Sequence, residues 1–418
     1  MMKKLIMAVA AMLALGVQAY PRVSEQQVSQ DTSKRMSVSY VLNEPAVVVA
    51  DILVDDEPVP SSRRWTFAGE TNQRVAAGRH TFSWKPRKEG YAGNSLDNVR
   101  VKIRAYALDR PPDYMTVGVA EPCDVRYYES ADRVPGGVTN DVYKTEKMLF
   151  RLIPAANVSW IMGCTAYESL VNNPVVAARE VPHKVTLSSD YYIGVYPVTQ
   201  GQYYKMTGER PSTFKNRADR DLRPVETVAY QTLRGTSSTE WLGWPQEGHD
   251  VLAGSVFRDF RDRTGIEFDL PTDAQWEYAA RAGARTLFYT GETSLGSLEN
   301  IAWCAQNSFD EQGQQNETHA VGMKLPNAFG LYDLLGNVFE MCLDVHGNMT
   351  SSEAVDPIGP NAAAGSARVM RGGCYSSVAG AATAGLHDCS LALRNMCGQD
   401  SGVSDRGFRL VCPAVAVR

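Results

Sequence analysis

NAFGLYDLLGNVFE, the sequence of residues 327–340, lies within a region that runs from about Met148 to Pro413. Regular elements in this region are short. Helices are predicted after the capping residues Thr199 and Thr272 and over residues 255–263. Elements of this length cannot fill the region with layered helices. We therefore expect a loop-rich domain that specific turns, cysteines or bound ions hold together.

Further strings surround this stretch and point to the same class of protein. They read PHKV (182–185), YIGVYPVTQ (192–200), LPTDAQWEYAAR (270–281), RVMRGG (368–373) and GFRL (407–410). Together with residues 327–340, and in the same order, they resemble the formylglycine-generating enzyme family, also called sulfatase-modifying factors. The resemblance covers residues 148–413 and implies an α+β fold of the C-type-lectin-like kind.

The resemblance also shows where a catalytic site belongs. The family's enzyme oxidises a sulfatase cysteine to formylglycine with two cysteines that follow the Arg-Gly-Gly string. Here Ser377 and Ala382 occupy those two positions, while Cys374 stands where the enzyme has serine. A gapped alignment places Cys389 near the second position, so Cys374, Cys389 and Ser377 are the candidates for residual chemistry. Serine cannot replace a thiolate as a Cu(I) ligand, and copper is therefore not expected.

A calcium site is implied by the same resemblance. In the family an oxygen side chain, two backbone carbonyls and a glutamate hold Ca²⁺, and Asp333, Gly336, Val338 and Glu340 have the same spacing. Hard oxygen ligands on a tight turn suit this ion. The alternative is a turn whose acidic side chains cap backbone N–H groups. A second family site would begin at Asn300-Ile301, but its later carboxylate is not recognisable.

Residues 1–19 have the pattern of a cleaved signal peptide. Lys3 and Lys4 precede an apolar run from Leu5 to Val17, which is short for a membrane span, and small residues precede a cut near Ala19. No later stretch is long and apolar enough to span a membrane. We expect a secreted or periplasmic protein, in which the eight cysteines are candidates for disulfides.

The remaining sequence predicts a small immunoglobulin-like β-sandwich over residues 20–107. Alternating apolar residues mark strands around Val38, over residues 45–54 and over residues 98–106, whereas the polar residues 24–36 are predicted as a loose arm. Residues 108–147, with their Pro and Gly clusters, are predicted as a linker that carries one strand at most.

Two classes of function remain open. A net charge of −5 without a basic patch excludes nucleic acid as an expected partner. The leading hypothesis is a non-oxidase, lectin-like scaffold that presents a loop with Trp241 and Trp244, together with the 375–388 loop, to a peptide or glycan. The alternative is an oxidoreductase with altered chemistry that acts on a sulfatase cysteine or another protein thiol.

Overall fold

The structure, a computed structural model, describes most of the chain and divides it into two compact units. The first unit comprises described residues of 1–112 and 127–135, and the second comprises those of 113–126 and 136–418. The described residues are 21–59, 68–86, 98–121, 123–163, 180–235, 251–291, 295–359, 367–377 and 389–414. The predicted signal peptide therefore lies outside them, and it stays a prediction. No helix in these ranges is long and apolar enough to cross a membrane.

The first unit is a β-sandwich. Its strands are β1 (Val23–Gln30), β2 (Met36–Leu42), β3 (Ala46–Val54), β4 (Glu57–Pro58), β5 (Ala68–Gly69), β6 (Gln73–Val75), β7 (Gly78–Trp84) and β8 (Val99–Tyr106). One antiparallel sheet has the order β1-β2-β7-β5, and in the other β3 pairs with β4, β6 and β8. Alternate residues of β2 and β3, such as Tyr40 and Val48, share one buried core. This arrangement confirms the predicted β-sandwich.

The prediction that residues 24–36 form a loose arm is wrong for the part of them that belongs to β1. Residues 23–30 form β1, which pairs with β2 from Val23↔Leu42 to Gln30↔Met36 with a register shift between Ser24 and Gln27. It is an edge strand of its sheet, most of its side chains are exposed, and only Val23 and Val28 pack against the core, so it has no continuous apolar face. Its backbone hydrogen bonds, which no side-chain pattern reveals, determine its structure.

The second unit contains the remaining strands and all but one of the described helical segments. Its strands are β9 (Tyr114–Gly118), β10 (Val125–Tyr128, at the boundary between the units), β11 (Lys147–Ile153), β12 (Val158–Met162), β13 (His183–Leu187), β14 (Tyr191–Gly194), β15 (Ala302–Trp303), β16 (Leu335–Gly336), β17 (Phe339–Val345), β18 (Ala354–Val355), β19 (Arg368–Arg371), β20 (Asn395–Cys397), β21 (Arg406–Gly407) and β22 (Val411–Pro413). The predicted linker, residues 108–147, thus contains two strands, β9 and β10, rather than one, and β9 pairs with β11.

The helices are short. They are α1 (Val142–Thr145), α2 (Gln200–Thr207), α3 (Tyr230–Arg234), α4 (Val256–Thr264), α5 (Asp273–Arg281) and α6 (Leu295–Ile301), with 3₁₀ turns at Ala131–Arg133, in the first unit, and at Arg220–Leu222. Thr199 and Thr272 form the predicted capping boxes, and Ser255 caps α4, whose Phe257 and Phe260 are buried. Helix α5 ends at Arg281, and its C-cap Ala282 is in the left-handed conformation.

Small sheets separate these helices. Strands β9, β11, β14 and β22 are neighbours in one sheet, β12-β13-β18 form a second, β15 pairs with β16, and β20-β19-β17-β21 form a further sheet. Long stretches between them have no regular structure. The predicted loop-rich α+β domain is confirmed.

Buried ion pairs join α5 to strand β19. The guanidinium of Arg371, which is fully buried, lies 2.5 Å from Asp273 Oδ1 and 2.6 Å from Glu277 Oε2. It also donates to the carbonyls of Leu391 and Leu393 at 3.1 Å. Each of the three guanidinium nitrogens of Arg371 therefore donates to an acceptor, as a buried charge requires.

Two further arginines complete the network. Arg394 Nε contacts Asp273 Oδ2 at 2.6 Å, and Arg281 Nε contacts Glu277 Oε1 at 2.8 Å. Glu277 and Arg281 lie four residues apart in the sequence, a spacing that predicts a modest surface pair. This prediction is wrong because both side chains are buried. Their helix face lies against the rest of the unit, so the pair carries a desolvation cost that only several partners can offset.

Removal of the Arg371 charge should destabilise the protein strongly. Arg371→Met leaves Asp273 and Glu277 buried with fewer counter-charges, and we expect a loss of about 3–5 kcal/mol in the free energy of unfolding. Urea denaturation measures this loss. The matched control is Arg258→Met, which breaks the exposed Arg258–Asp262 pair (side chains 43% and 62% exposed) and should cost less than about 1 kcal/mol. Equal losses in the two variants would contradict the assigned role of Arg371.

Asp344 should make stability depend on pH. It is buried and accepts a hydrogen bond from the backbone N–H of Asp273 at 2.7 Å, and burial followed by the charge of Asp273 raises its pKa from 3.8 to about 8. Between these values the folded state binds more protons than the unfolded state, so this contribution to stability is lost as pH rises. Asp344→Asn should therefore become more stable relative to the wild type from pH 4 to pH 8. Parallel unfolding curves for the two proteins over that range would contradict the assignment.

Candidate functional site

The segment after the Arg-Gly-Gly string forms a closed turn. Ser377 N donates to Cys374 O at 3.0 Å, and Cys374 N donates to Ser377 Oγ at 3.0 Å. Gly372 has φ 89°, and a Cβ atom there would lie 2.4 Å from Leu334 O, so only glycine permits this approach of two backbones. The turn thus brings Cys374 and Ser377 together in the segment that follows the Arg-Gly-Gly string.

The chemistry of this turn differs from that of a redox pair. Cys374 is buried, and its Sγ lies 3.2 Å from Ser376 Oγ and 3.5 Å from Ser377 Oγ. Burial raises the pKa of its thiol, whereas a redox-active cysteine needs a lowered pKa. Cys389 is also buried and begins the segment that leads to β20. Ala382 and most of the predicted 375–388 loop lie outside the described residues, as does the loop with Trp241 and Trp244.

Other cysteines are thiols rather than the predicted disulfides. Cys123, Cys304, Cys342 and Cys397 are free in the structure, as is Cys374. Burial raises the pKa of each thiol. Cys342 and Cys397 lie in strands, where neighbouring side chains pack around them, and they act as small apolar residues. The expectation that cysteines staple this domain is therefore wrong for these five.

The turn that was predicted to hold calcium contains one carboxylate suited to a cation. Asp333 has φ 52° and is buried. Its oxygens accept from Gly322 N at 2.6 Å and from Asn337 Nδ2 at 3.2 Å. No ion pair of Asp333 is found among the described residues, and burial raises its pKa. A bound cation would compensate such a buried carboxylate.

The second carboxylate is engaged elsewhere. Both oxygens of Glu340 lie within 3.1 Å of the Arg409 guanidinium, and Trp276 Nε1 donates to Oε2 at 2.7 Å. All three side chains are buried. Arg371 of the RVMRGG string and Arg409 of the GFRL string thus both form buried ion pairs. In this arrangement Glu340 is an ion-pair partner and does not fit a calcium ligand, so the calcium hypothesis depends on Asp333 and stays a prediction.

A stack of three side chains lies next to this region and was not predicted. The rings of Trp303 and His319 lie 4.0 Å apart at 21°, and Lys324 Nζ lies 3.9 Å from the centre of the Trp303 ring. Asn337 connects the stack to the turn, because its side chain binds the backbone of His319 and its backbone binds Trp303 O and Tyr375 N. Burial lowers the pKa of His319.

The unit also contains a cleft of about 490 Å³ between α2, α3 and the start of α4. Its lining consists of small, apolar and polar side chains with two acidic ones: Met206, Thr207, Glu209, Gln231, Thr232, Gly235, Leu252, Ala253, Gly254, Ser255, Val256 and Asp259. The volume is that of a typical small-ligand site. Within the part of the chain that the structure describes, no group of three or more His, Cys, Asp or Glu side chains is arranged to hold a metal.

These features define a class of protein: a loop-rich α+β domain in which a closed turn follows an Arg-Gly-Gly string. A family model described as "Sulfatase-modifying factor enzyme 1-like domain" matches residues 152–414. The chain therefore belongs to the sulfatase-modifying factor family, as its sequence strings predicted.

Individual relatives carry different names. "Chaperone protein LppX" of Paenibacillus barcinonensis is 31% identical over 40% of this chain and 67% of its own length. "Formylglycine-generating enzyme" of Thermomonospora curvata is 31% identical over 34% of this chain and 48% of its own length. Among solved structures, "Treponema denticola variable protein 1" is 27% identical, with a TM-score of 0.48 over 64% of this chain and 95% of its own.

Calcium binding can be tested at Asp333. Asn keeps the shape of the side chain and tolerates the left-handed backbone, so Asp333→Asn removes the charge and one of the two hydrogen bonds that the carboxylate accepts. If the turn binds calcium, saturating Ca²⁺ should raise the thermal midpoint of the wild type, but not of the variant, relative to EGTA. Substitution of Glu340 is a poorer test because it breaks the pair with Arg409 whether or not calcium binds. An unchanged wild-type midpoint in Ca²⁺ and EGTA would refute the site.

Proposed function

We propose that this protein is an exported, non-oxidase member of the sulfatase-modifying factor family that binds a peptide or glycan. The observation that carries the proposal is the closed turn at residues 374–377. Ser377 stands at the first catalytic position, and the thiol beside it is buried with a raised pKa. The predicted signal peptide supports export, since it precedes the folded units.

The missing thiolate argues against oxidation of a substrate cysteine. Such chemistry needs a soft Cu(I) ligand set and a thiol that can exchange with the substrate. Ser377 Oγ instead accepts a hydrogen bond from the backbone, so it helps to close the turn. Two arginines of the family strings, Arg371 and Arg409, are paired with buried carboxylates. They therefore support the fold rather than a substrate.

The cleft between α2, α3 and α4 supports a binding role. It is large enough for a side chain or a sugar ring, and polar groups converge on it from three helices. Its lining residues Gly235 and Leu252 flank residues 236–250, the stretch that contains Trp241 and Trp244. A ligand in the cleft would therefore lie near the residues on either side of this stretch, which the sequence predicts as part of the binding surface.

The alternative function is an oxidoreductase that acts on a sulfatase cysteine or another protein thiol. The name of the Thermomonospora curvata relative favours it. In this alternative Cys374, with Cys389 as a second thiol, would have to supply the redox pair. The raised pKa of Cys374 and its burial make it the weaker of the two hypotheses.

Copper binding and peptide conversion distinguish the two functions. We expect the wild-type protein to bind no Cu(I) tightly and to leave the cysteine of a sulfatase-type peptide unchanged, as measured by competitive Cu(I) titration and mass spectrometry. The double variant Ser377→Cys, Ala382→Cys restores thiols at both family positions and should gain Cu(I) affinity.

The matched control for this experiment is Cys374→Ser, which should behave as the wild type does. Conversion of the peptide cysteine to an aldehyde by the wild-type protein, and its loss in Cys374→Ser, would establish the oxidoreductase and overturn the proposed function.

A further inference from the structure

We infer that residues 127–135 form a strap that opens locally and thereby uncovers an apolar strip on the outer face of a sheet in the first unit. The strap comprises the last two residues of β10 and the 3₁₀ turn Ala131–Arg133, and it belongs to the first unit although it lies within the predicted linker. This inference concerns the β-sandwich and is independent of the binding function proposed for the second unit.

The surface under the strap is the outer face of the sheet that contains β3. Val48 and Ala50 of this strand belong to the core between the two sheets. Because side chains alternate along a strand, Val47, Val49 and Asp51 point to the opposite face. All three are nonetheless buried, with exposed fractions of 0%, 2% and 3%. Strand β3 is therefore covered on both faces, whereas the outward residues of a two-sheet sandwich are usually polar and solvated.

A side chain of the strap binds the residues beside Val47 and Val49. On the neighbouring strand β8, the register places Arg104 opposite Val49. The same register places Tyr106 opposite Val47. Glu129 of the strap accepts hydrogen bonds from the Arg104 guanidinium and from the Tyr106 hydroxyl. The strap therefore lies along the apolar strip that the two valines form.

The other side of the strip is held by the first residue of the strap. Arg74 of β6 lies opposite Val47, and its Nε donates to the Tyr127 hydroxyl at 3.2 Å. The backbone N–H of Tyr127 donates to Asn72 O at 2.7 Å. Tyr127 and Val134 are 1% and 0% exposed, so the strap is packed near both of its ends.

An ionic cluster holds the middle of the strap. Arg133 Nη1 lies 3.4 Å from Asp51 Oδ1, and the Arg104 guanidinium bridges Asp51 and Glu129. Two cations and two anions balance each other in this cluster. The side chains of Arg104 and Glu129 are 40% and 17% exposed. Because salt weakens ion pairs between partly exposed groups, the cluster can release the strap while the sheets stay folded.

The chain that follows the strap can act as a hinge. Pro135 is followed by Gly136 and Gly137, whose φ angles are 76° and 81°. Glycine adopts these angles without strain, and a Cβ atom at Gly137 would have open space around it. The strap can therefore open from this end while the backbone hydrogen bond of Tyr127 keeps its other end in place.

Hydrogen exchange of the mature chain, followed by mass spectrometry, tests the opening. The backbone amides of residues 129–135 should exchange faster than those of β2 and β3, because a local opening needs less free energy than unfolding of the core. Exchange in the strap should become faster as the NaCl concentration is raised, whereas exchange in β2 should not change.

A variant of the ionic cluster should favour the open strap. Glu129→Ala removes the contacts with Arg104 and Tyr106 and should speed exchange in the strap about tenfold, as the loss of a charged hydrogen bond predicts. The matched control is Arg100→Ala, which removes an exposed arginine from the same face of β8. Its partner Asp56 lies outside the strap, so exchange in the strap should not change.

A cysteine in the apolar strip reports whether the strap covers it. Val49→Cys should react slowly with N-ethylmaleimide in the otherwise unchanged protein, and about tenfold faster when combined with Glu129→Ala. Peptide mapping by mass spectrometry distinguishes this thiol from the native ones.

Four results would overturn the inference. The first two are equal exchange rates in the strap and in the core strands of the wild type, and unchanged exchange in the strap of Glu129→Ala. The third is an equal increase in β2, β3 and the strap, which would show that the strap opens only with the whole unit. The fourth is slow labelling of Val49→Cys while the strap exchanges fast. None of these results affects the proposed binding function, which the copper and peptide experiments test separately.

Discussion

The fold of the second unit depends on the contact of one buried arginine with two buried carboxylates. Arg371, at the end of β19, binds Asp273 and Glu277 on α5, across 98 and 94 residues of sequence. Most of the chain between them has no regular hydrogen-bond ladder that could fix the two elements. A buried cation tolerates few alternative positions, because every misplacement leaves a charge without a partner. The ion pairs therefore help to select one arrangement of α5 and β19, a role that layered helices or a large sheet have in other folds.

The residues that stabilise the fold are therefore different from the residues at the catalytic positions of the family. Arg371 and Arg409 and the acids Asp273, Glu277 and Glu340 of the family strings form internal pairs, so they can hold the domain whether or not a reactive cysteine follows them. The turn at residues 374–377 is also held by an internal contact, because Ser377 Oγ accepts a hydrogen bond from the backbone N–H of Cys374. A fold retained in this way can serve a different function, which must be argued from its own site. The acidic cleft lies among helices α2 to α4 and uses none of the paired residues.

The sequence predicted features that depend on local pattern. The capping boxes at Thr199 and Thr272, the strands around Val38 and Val48, and the loop-rich class follow from neighbouring residues. Features that depend on distant contacts were missed or misjudged. Glu277 and Arg281 have the spacing of a surface pair, and only the position of Arg371 shows that they are buried. Strand β1 has no continuous apolar face to reveal it, and the Trp303–His319 stack joins side chains that no local pattern connects. The cleft likewise requires three helices to be placed together.

One hydrogen bond next to the cleft has an evolutionary consequence. Leu252 N donates to Arg234 O at 3.0 Å, so the residues on either side of the intervening stretch lie next to each other. The entropic penalty of closing a loop grows slowly with its length, by about 0.6 kcal/mol for each doubling. Residues between such fixed ends can be lengthened, shortened or replaced while the ion-paired framework is untouched. A change of sequence between these fixed ends can therefore alter which ligand the domain binds without a change of fold.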